Sequence, residues 1–385
     1  MECEFTEEQE LFRSSIRNLV KRDVFPRARE IGKQKEIPRD LWKKICDLGL
    51  VGMTGPEHYG GQPGNSLMLG IAAEEIGKGD VSLATTLIPN TSFCTLLQYA
   101  QAEVQEEWLP PIISGDKLSC VAVTEPDCGA DAAAMKMTAR REGDHYIFKG
   151  EKTSISWGMY AEVATVFAGT DPQFEAKGVS CFLLPLDLSG IEKLSTPEMG
   201  LKPMSSASFI LDNVRIPKDY LIGQEGEGAD MIVEVFDLMR ILVALISIGA
   251  AERVLDETSG YCKQRIAFGK PIGKFEGVFF KIAEAATLLE AARALCYRAL
   301  WLRDRGVKHT VETAMCKWWS TKVAVEVIHD ALLLHGYFGY STEALIEQRL
   351  RNVIGNQLAD GGPEAMKLII AGELFGKDFL PHQLS

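Results

Sequence analysis

Met135-Lys136-Met137-Thr138-Ala139-Arg140 alternates apolar and polar side chains, Glu142-Gly143-Asp144 supplies a turn, and Tyr146-Ile147-Phe148 resumes the run. A period of two around such a turn predicts a β-hairpin. Further β-type runs follow at Val163–Ala168, Val179–Leu184 and Ser208–Asp212, so a compact antiparallel β domain is expected over 117–225. Outside these limits the period changes. On the N-terminal side, Thr6 with Gln9 reads as a capping box opening a helix. Pro38 precedes Leu41, Ile45 and Leu48, spaced for one helix face, and Gly49 closes that run. Asn65–Lys78, Ser82–Ala100 and Glu103–Ile113 read the same way, giving a helical domain over 1–116. On the C-terminal side, helical stretches run from about Glu227 to Gln264, Gly277 to Arg305 and Val311 to His335, with a shorter one ending near Lys377. Long apolar helices of this kind pack as a four-helix bundle, expected over 226–385. The fold class is α+β, in the order helical, β, helical.

Composition narrows the function. A formal net charge of -12 argues against nucleic acid as the main partner, because phosphate binding needs concentrated Lys and Arg. The nine cysteines are scattered without paired C-x-x-C spacing, as in a reducing compartment, and no metal-ligand pattern appears. Met1-Glu2-Cys3-Glu4 does not resemble a signal peptide, and no uncharged run is long enough for a membrane span. A cytoplasmic protein is expected.

Val121-Ala122-Val123-Thr124-Glu125-Pro126-Asp127-Cys128-Gly129-Ala130-Asp131 ends a strand on a hydroxyl and a glycine. Such a segment can aim Thr124 and backbone amides at a polar ring edge while Gly129 permits close approach. A tight turn made by Pro126 and Gly129 is the alternative. The segment closely resembles the flavin-binding signature of the acyl-CoA dehydrogenase family. Gly150-Glu151-Lys152 opens a second family motif, Arg265-Ile266-Ala267-Phe268-Gly269 resembles its Arg-x-x-Phe-Gly element, and Gly336–Tyr340 falls at its glycine-rich turn. These motifs come in family order over almost the whole chain.

The resemblance implies an N-terminal helical domain, a middle β domain, a C-terminal helical bundle, and flavin adenine dinucleotide (FAD) as cofactor. It carries FAD contacts onto Val121, Val123, Thr124, Gly129, Ala130, Ser154, Ser156, Arg265, Phe268, Leu333, Tyr337 and Gly362. Arg265, a fork of donors suited to pyrophosphate, would reach the FAD of a neighbouring subunit; a surface ion pair is the alternative. Substrate contacts fall on Ala130, Asp237, Arg240, Ala359 and Gly361, with Asp237 orienting Arg240 from the preceding turn or merely pairing with it. A homotetramer built as a dimer of dimers and an electron-transferring flavoprotein as electron acceptor are also implied.

The chain departs from the family at several of these positions. Ser154 and Ser156 stand where a Trp and a Thr are usual, Ala130 replaces a serine, Glu276 a glutamine, and Leu333 and Tyr337 replace Gln and Gly. Ser156 keeps a hydroxyl for the flavin, whereas Ser154 removes a covering indole.

In Gln357-Leu358-Ala359-Asp360-Gly361-Gly362-Pro363-Glu364, a carboxylate precedes two glycines. As residues alone, Asp360 and Pro363 before an apolar run are also ordinary helix-start signals. The resemblance makes Asp360 the catalytic base, one methylene shorter than the usual glutamate, and Met239 occupies the place where other members carry their base. Ala359 replaces a tyrosine that normally walls the substrate α-carbon. A short base in a widened pocket suits a bulky, branched or cyclic acyl-CoA, such as cyclohexane-1-carboxyl-CoA. Asp360 is expected to take the α-proton while the β-hydrogen leaves as hydride to flavin, giving the 2,3-enoyl thioester. A nitroalkane-oxidase-like enzyme, another short- or branched-chain dehydrogenase and a non-catalytic flavoprotein scaffold are the competing readings.

Overall fold

The computed structural model describes residues 5–62, 64–129, 135–170, 178–376 and 379. The N-terminal part is helical: α1 (Glu7–Leu19), α2 (Ala28–Ile31), α3 (Arg39–Cys46), α4 (Ser66–Gly79), α5 (Val81–Thr85), α6 (Leu87–Leu97) and α7 (Ala102–Ile113). The Thr6–Gln9 capping box is present on α1. The expected single helix over Ser82–Ala100 is two, α5 and α6, meeting at Thr86.

Strands β1 (Ser119–Ala122), β2 (Thr138–Glu142), β3 (His145–Ile155), β4 (Val163–Gly169), β5 (Val179–Pro185), β6 (Ile191–Ser195), β7 (Ala207–Pro217) and β8 (Leu221–Ile222) form one sheet. β2 and β3 make the hairpin read from the alternation, Arg140 facing Ile147. The sheet corrects the expectation of a purely antiparallel domain. β1 runs parallel to β4, Val121 opposite Thr165, and Thr138 pairs in parallel with Gly169. Parallel pairing joins segments distant in sequence and leaves no hairpin signal.

The C-terminal part holds α8 (Gly228–Gln264), a small hairpin of β9 (Ile266–Ala267) and β10 (Lys270–Pro271), and α9 (Glu276–Asp304). Next come α10 (Thr310–Met315), a π turn over Cys316–Ser320, α11 (Thr321–Leu334) and α12 (Tyr337–Tyr340). The stretch read as one helix from Val311 to His335 thus contains a wide turn. The shorter final helix is α14 (Pro363–Phe375), preceded by a further helix, α13 (Ile346–Leu358), and Lys377 lies outside the described residues.

The helical parts meet where α4 crosses α8. A Cβ on Gly249 would lie 2.2 Å from the Glu74 carbonyl, and one on Gly77 would lie 2.6 Å from that of Ile246, so glycine is required for this approach. Buried carboxylates tie α4 to its other neighbours: Glu74 accepts from Arg293 at 2.8 Å and Tyr297 at 2.7 Å on α9, and Glu75 from Arg13 at 2.8 Å and Arg17 at 2.9 Å on α1, while Lys78 of α4 pairs with Glu252 of α8 at 3.1 Å. The crossing fixes α8, which carries Asp237 and Arg240, against the rest of the molecule.

Candidate functional site

Asp360 sits in the turn between α13 and α14. The helix stops when Ala359 turns extended (ψ 152), and Asp360 follows in the left-handed region at φ 54, with Gly361 at φ 101. Gly362 is the N-cap of α14 and Pro363 its first residue. A helix does start here, as the Pro363 signal reads, but its N-cap is Gly362, so Asp360 does not cap it. Aspartate is one of the few residues that enters the left-handed region at modest cost, and glycine at 361 removes a second penalty.

Two cations, Arg240 mostly and Lys317 fully buried, hold this turn. Arg240 Nε donates to the Asp360 carbonyl at 3.0 Å. Lys317, fully buried on the π turn, donates from Nζ to the carbonyls of Gln357 at 3.1 Å and Gly361 at 3.3 Å. Burial pushes the Asp360 carboxyl above the ordinary aspartate value, and the positive charges of Lys317 and then Arg240 oppose that rise. Burial also pulls the Lys317 ammonium down to about 8, with Asp360 opposing. Lys317 was missed in the sequence. Its one signal is register: Thr313, Lys317 and Thr321 share a fully buried helix face, an unusual place for a lysine.

Arg240 is anchored in turn. Its guanidinium lies 5.2 Å from the Phe236 ring centre and 3.7 Å from Asp237, whose other oxygen accepts from the Thr310 hydroxyl at 2.9 Å. At 3.7 Å, without a hydrogen bond, the Asp237–Arg240 pair is electrostatic rather than an aligned clamp. The near oxygen of Asp237 is buried without a hydrogen-bond partner among the described residues. Met239, the residue at the alternative base position, is buried in the core. A Cβ on Gly361 would meet the end of Met366 at 2.7 Å, whereas Gly362 faces open space.

A second group forms where β1 ends beside β3. The Thr153 amide donates to the Thr124 carbonyl at 2.9 Å, setting Thr124 next to Ser154 and Ser156. Pairing of β3 with β7 slips by one residue between Lys152 and Ile155, and Ser154 takes φ 55 at this bulge. Bulges re-aim side chains beside active sites. The hydroxyls of Thr124, Ser154 and Ser156 have no protein partner among the described residues, and Gly129 faces open space. Three unpaired hydroxyls beside an open glycine fit the polar edge of an isoalloxazine. Val121 is half-buried and Val123 buried beneath them. Ala130 lies outside the described residues.

This strand end is braced from below. Lys152, fully buried, donates to the Val123 carbonyl at 2.7 Å and to Glu125 at 2.8 Å. Glu125 also accepts from the amides of Lys136 at 2.6 Å and Met137 at 3.0 Å. Burial lowers the Lys152 ammonium to about 8, with Glu125 opposing.

The third group lies on the outside. Phe268 and Gly269 both have positive φ and form the two-residue turn of the β9–β10 hairpin, leaving Phe268 95% exposed. Arg265 is exposed and belongs to no ion pair among the described residues, against the surface-pair reading. Leu333 and Tyr337 are exposed at 57% and 84%. Stacking of Tyr261 on His335 at 4.2 Å brings the end of α8 to the end of α11. No hydrogen bond or ion pair joins them to the Thr124 group among the described residues.

The comparisons agree with this arrangement. The chain matches the acyl-CoA dehydrogenase N-terminal domain over 6–116, the middle domain over 120–214 and the C-terminal domain over 226–375. It is 34% identical over 374 residues to the human mitochondrial short-chain specific acyl-CoA dehydrogenase, covering 96% of this chain and 91% of that protein. Among solved structures, butyryl-CoA dehydrogenase from Megasphaera elsdenii superposes with a TM-score of 0.92 at 30% identity, over 97% of this chain and 100% of that one. A chain from the electron transferring flavoprotein structure of Acidaminococcus fermentans gives 0.93 at 33%, over the same shares. Coverage of all three domains, and similarity over nearly the whole length of a short-chain specific acyl-CoA dehydrogenase, lead to one conclusion: this chain belongs to the acyl-CoA dehydrogenase family and is an FAD-dependent oxidoreductase.

Proposed function

We propose that the enzyme dehydrogenates an acyl-CoA whose α-carbon is bulky, branched or cyclic, such as cyclohexane-1-carboxyl-CoA, to the 2,3-enoyl-CoA. The observation that carries this reading is the Ala359-Asp360 turn. The main chain of Asp360 is held by Arg240 in a partly buried turn, and the residue before it has no side chain beyond Cβ. Aspartate withdraws the base by roughly 1.5 Å relative to glutamate, the length of one C–C bond. Alanine removes the wall beside the reacting carbon.

Asp360 takes the α-proton as its anion, and its raised pKa makes it a stronger base than an exposed carboxylate. FAD, when bound, supplies the acceptor for the β-hydrogen as hydride. The Asp360 carbonyl turns inward to Arg240, so the Gly361 N–H of the same trans peptide points the other way. Neither this amide nor that of Asp360 has a protein partner among the described residues, which leaves two donors for a thioester oxygen that gains negative charge. Arg240 and Asp237 then line the path of the CoA arm.

The exposed Arg265, Phe268, Leu333 and Tyr337 are assigned to the FAD of a neighbouring subunit in a homotetramer. An electron-transferring flavoprotein in the cytoplasm is assigned as the acceptor of the electrons. Anaerobic mixing with a panel of acyl-CoAs, followed by flavin bleaching, tests the substrate. Cyclic thioesters should bleach the flavin and straight-chain ones should not; the reverse order rejects the bulky-substrate reading. Asp360→Asn should abolish bleaching while substrate still binds, and normal turnover would reject Asp360 as the base.

A further inference from the structure

The two amide donors and the carboxylate of Asp360 depend on the left-handed turn at φ 54, which for a residue other than glycine must be favoured by its surroundings even where the cost is modest. Arg240 fixes only the middle of that turn, at the Asp360 carbonyl. Lys317 spans it. One ammonium takes the last-turn carbonyl of Gln357 on α13 and the carbonyl of Gly361 just beyond the base. A lysine has three donors and can serve two carbonyls that diverge, where a neutral side chain of similar length serves neither. The π turn over Cys316–Ser320 places it there, by widening the helix between α10 and α11 at the residue that must point inward.

We infer that Lys317 is the positioning residue of the base: it clamps both ends of the Asp360 turn and keeps a positive charge behind the carboxylate. The inference rests on Asp360 being the base. The groups around this pair are few. Arg240 and Asp237 face it from α8, Glu312 lies on α10, and Cys296 of α9 contacts Ser320. From α14, Glu364 and Lys367 are paired with each other at the surface. Arg240 is thus the only second cation directed at Asp360 among the described residues.

The test compares Lys317→Met, which keeps length and loses charge and donors, with Lys317→Arg, which keeps the charge. The measurement is anaerobic flavin reduction by a thioester that the wild type oxidises, followed against substrate concentration and pH. In Lys317→Met, the limiting rate should fall on the order of 10²-fold, as for a base displaced by about 1 Å, with substrate affinity within about threefold of wild type. Its acid limb should move to higher pH, because a cation that favoured the Asp360 anion is gone. Lys317→Arg should keep the wild-type limb at a reduced rate. A folded, flavin-loaded Lys317→Met with wild-type rate and limb overturns the inference. Equal losses in both variants with an unmoved limb, or failure of both to fold, assign the lysine to the core and overturn it as well. Asp360→Asn, run in parallel, separates the cases: if it bleaches normally, the base itself is wrong, and if it is dead while Lys317→Met is unaffected, only the clamp is wrong.

Discussion

Replacing Lys152 by methionine should loosen the flavin strand from beneath. The side chain is fully buried, and its ammonium holds both the Val123 carbonyl at 2.7 Å and Glu125 at 2.8 Å. Methionine fills much the same volume, so packing is kept and two contacts are lost. Glu125 is then left as a buried carboxylate without a cation, still held by the Lys136 and Met137 amides. Stranding one member of a buried ion pair costs about 3–5 kcal/mol. At roughly 2–4 °C per kcal/mol for a unit of this size, flavin release on heating should come on the order of 10 °C earlier. Flavin fluorescence, which rises on release, reads the transition directly. Glu125→Gln added to Lys152→Met removes the stranded charge, so the double variant should be more stable than Lys152→Met alone. A shift of less than about 2 °C for the single variant, below 1 kcal/mol on the same scale, would show that the pair is not a brace. A double variant less stable than the single would refute the charge argument.

Other outcomes follow from the same geometry. Arg265→Ala should weaken FAD retention about 10- to 100-fold, the worth of charge-assisted hydrogen bonds to a phosphate, read by equilibrium dialysis of the holoenzyme. Unchanged retention would return this arginine to the surface. Ala359→Tyr should cut kcat/KM for a cyclic acyl-CoA at least about tenfold while sparing straight chains, because the ring takes the space the α-carbon needs. The rate of flavin reduction should fall as pH drops through a limb lying above the ordinary aspartate value of 3.8, since burial raises Asp360 and only its anion accepts the proton. A rate that is flat down to about pH 4 would contradict that environment.

What the sequence made readable was local. The alternation from Met135 to Phe148 became a hairpin in register, and the Thr6 capping box was found in place, because both depend on neighbours a few residues apart. Where a motif pointed to a residue, the structure gives it a definite place: Asp360 lies in the turn between α13 and α14 with Arg240 on its carbonyl, Thr124 just beyond β1, and Arg265 at the surface. Features set by distant partners were not readable. Lys152 meets Glu125 across 27 residues, Lys317 meets Gly361 across 44, and β1 pairs in parallel with β4. The π turn over Cys316–Ser320 has no compositional mark, since one wide turn preserves the apolar periodicity on either side. Backbone hand was equally hidden: Ser154 and Asp360 both adopt positive φ, which neither residue type announces.

The left-handed backbone at Asp360 bears on why the carboxylate is short, because two causes would each select aspartate. At φ 54, aspartate is tolerated better than glutamate, so the backbone alone could favour it. Substrate shape could favour it too, by about 1.5 Å of reach. Asp360→Glu separates them. Left-handed strain of about 1 kcal/mol would lower thermal stability slightly and reduce the rate toward every thioester in proportion. A change of reach acts otherwise: the longer carboxylate would sit badly against a cyclic α-carbon and well against a straight chain. Since a misplacement of about 1 Å costs on the order of 10²-fold, the ratio of kcat/KM for straight over cyclic substrates should rise by at least about tenfold. The Arg240 and Lys317 contacts fall on main-chain carbonyls, so they survive the substitution and should hold the turn in its left-handed form. The specificity shift is therefore the expected result, and a proportional loss across all substrates would mean that the turn, not the substrate, chose aspartate.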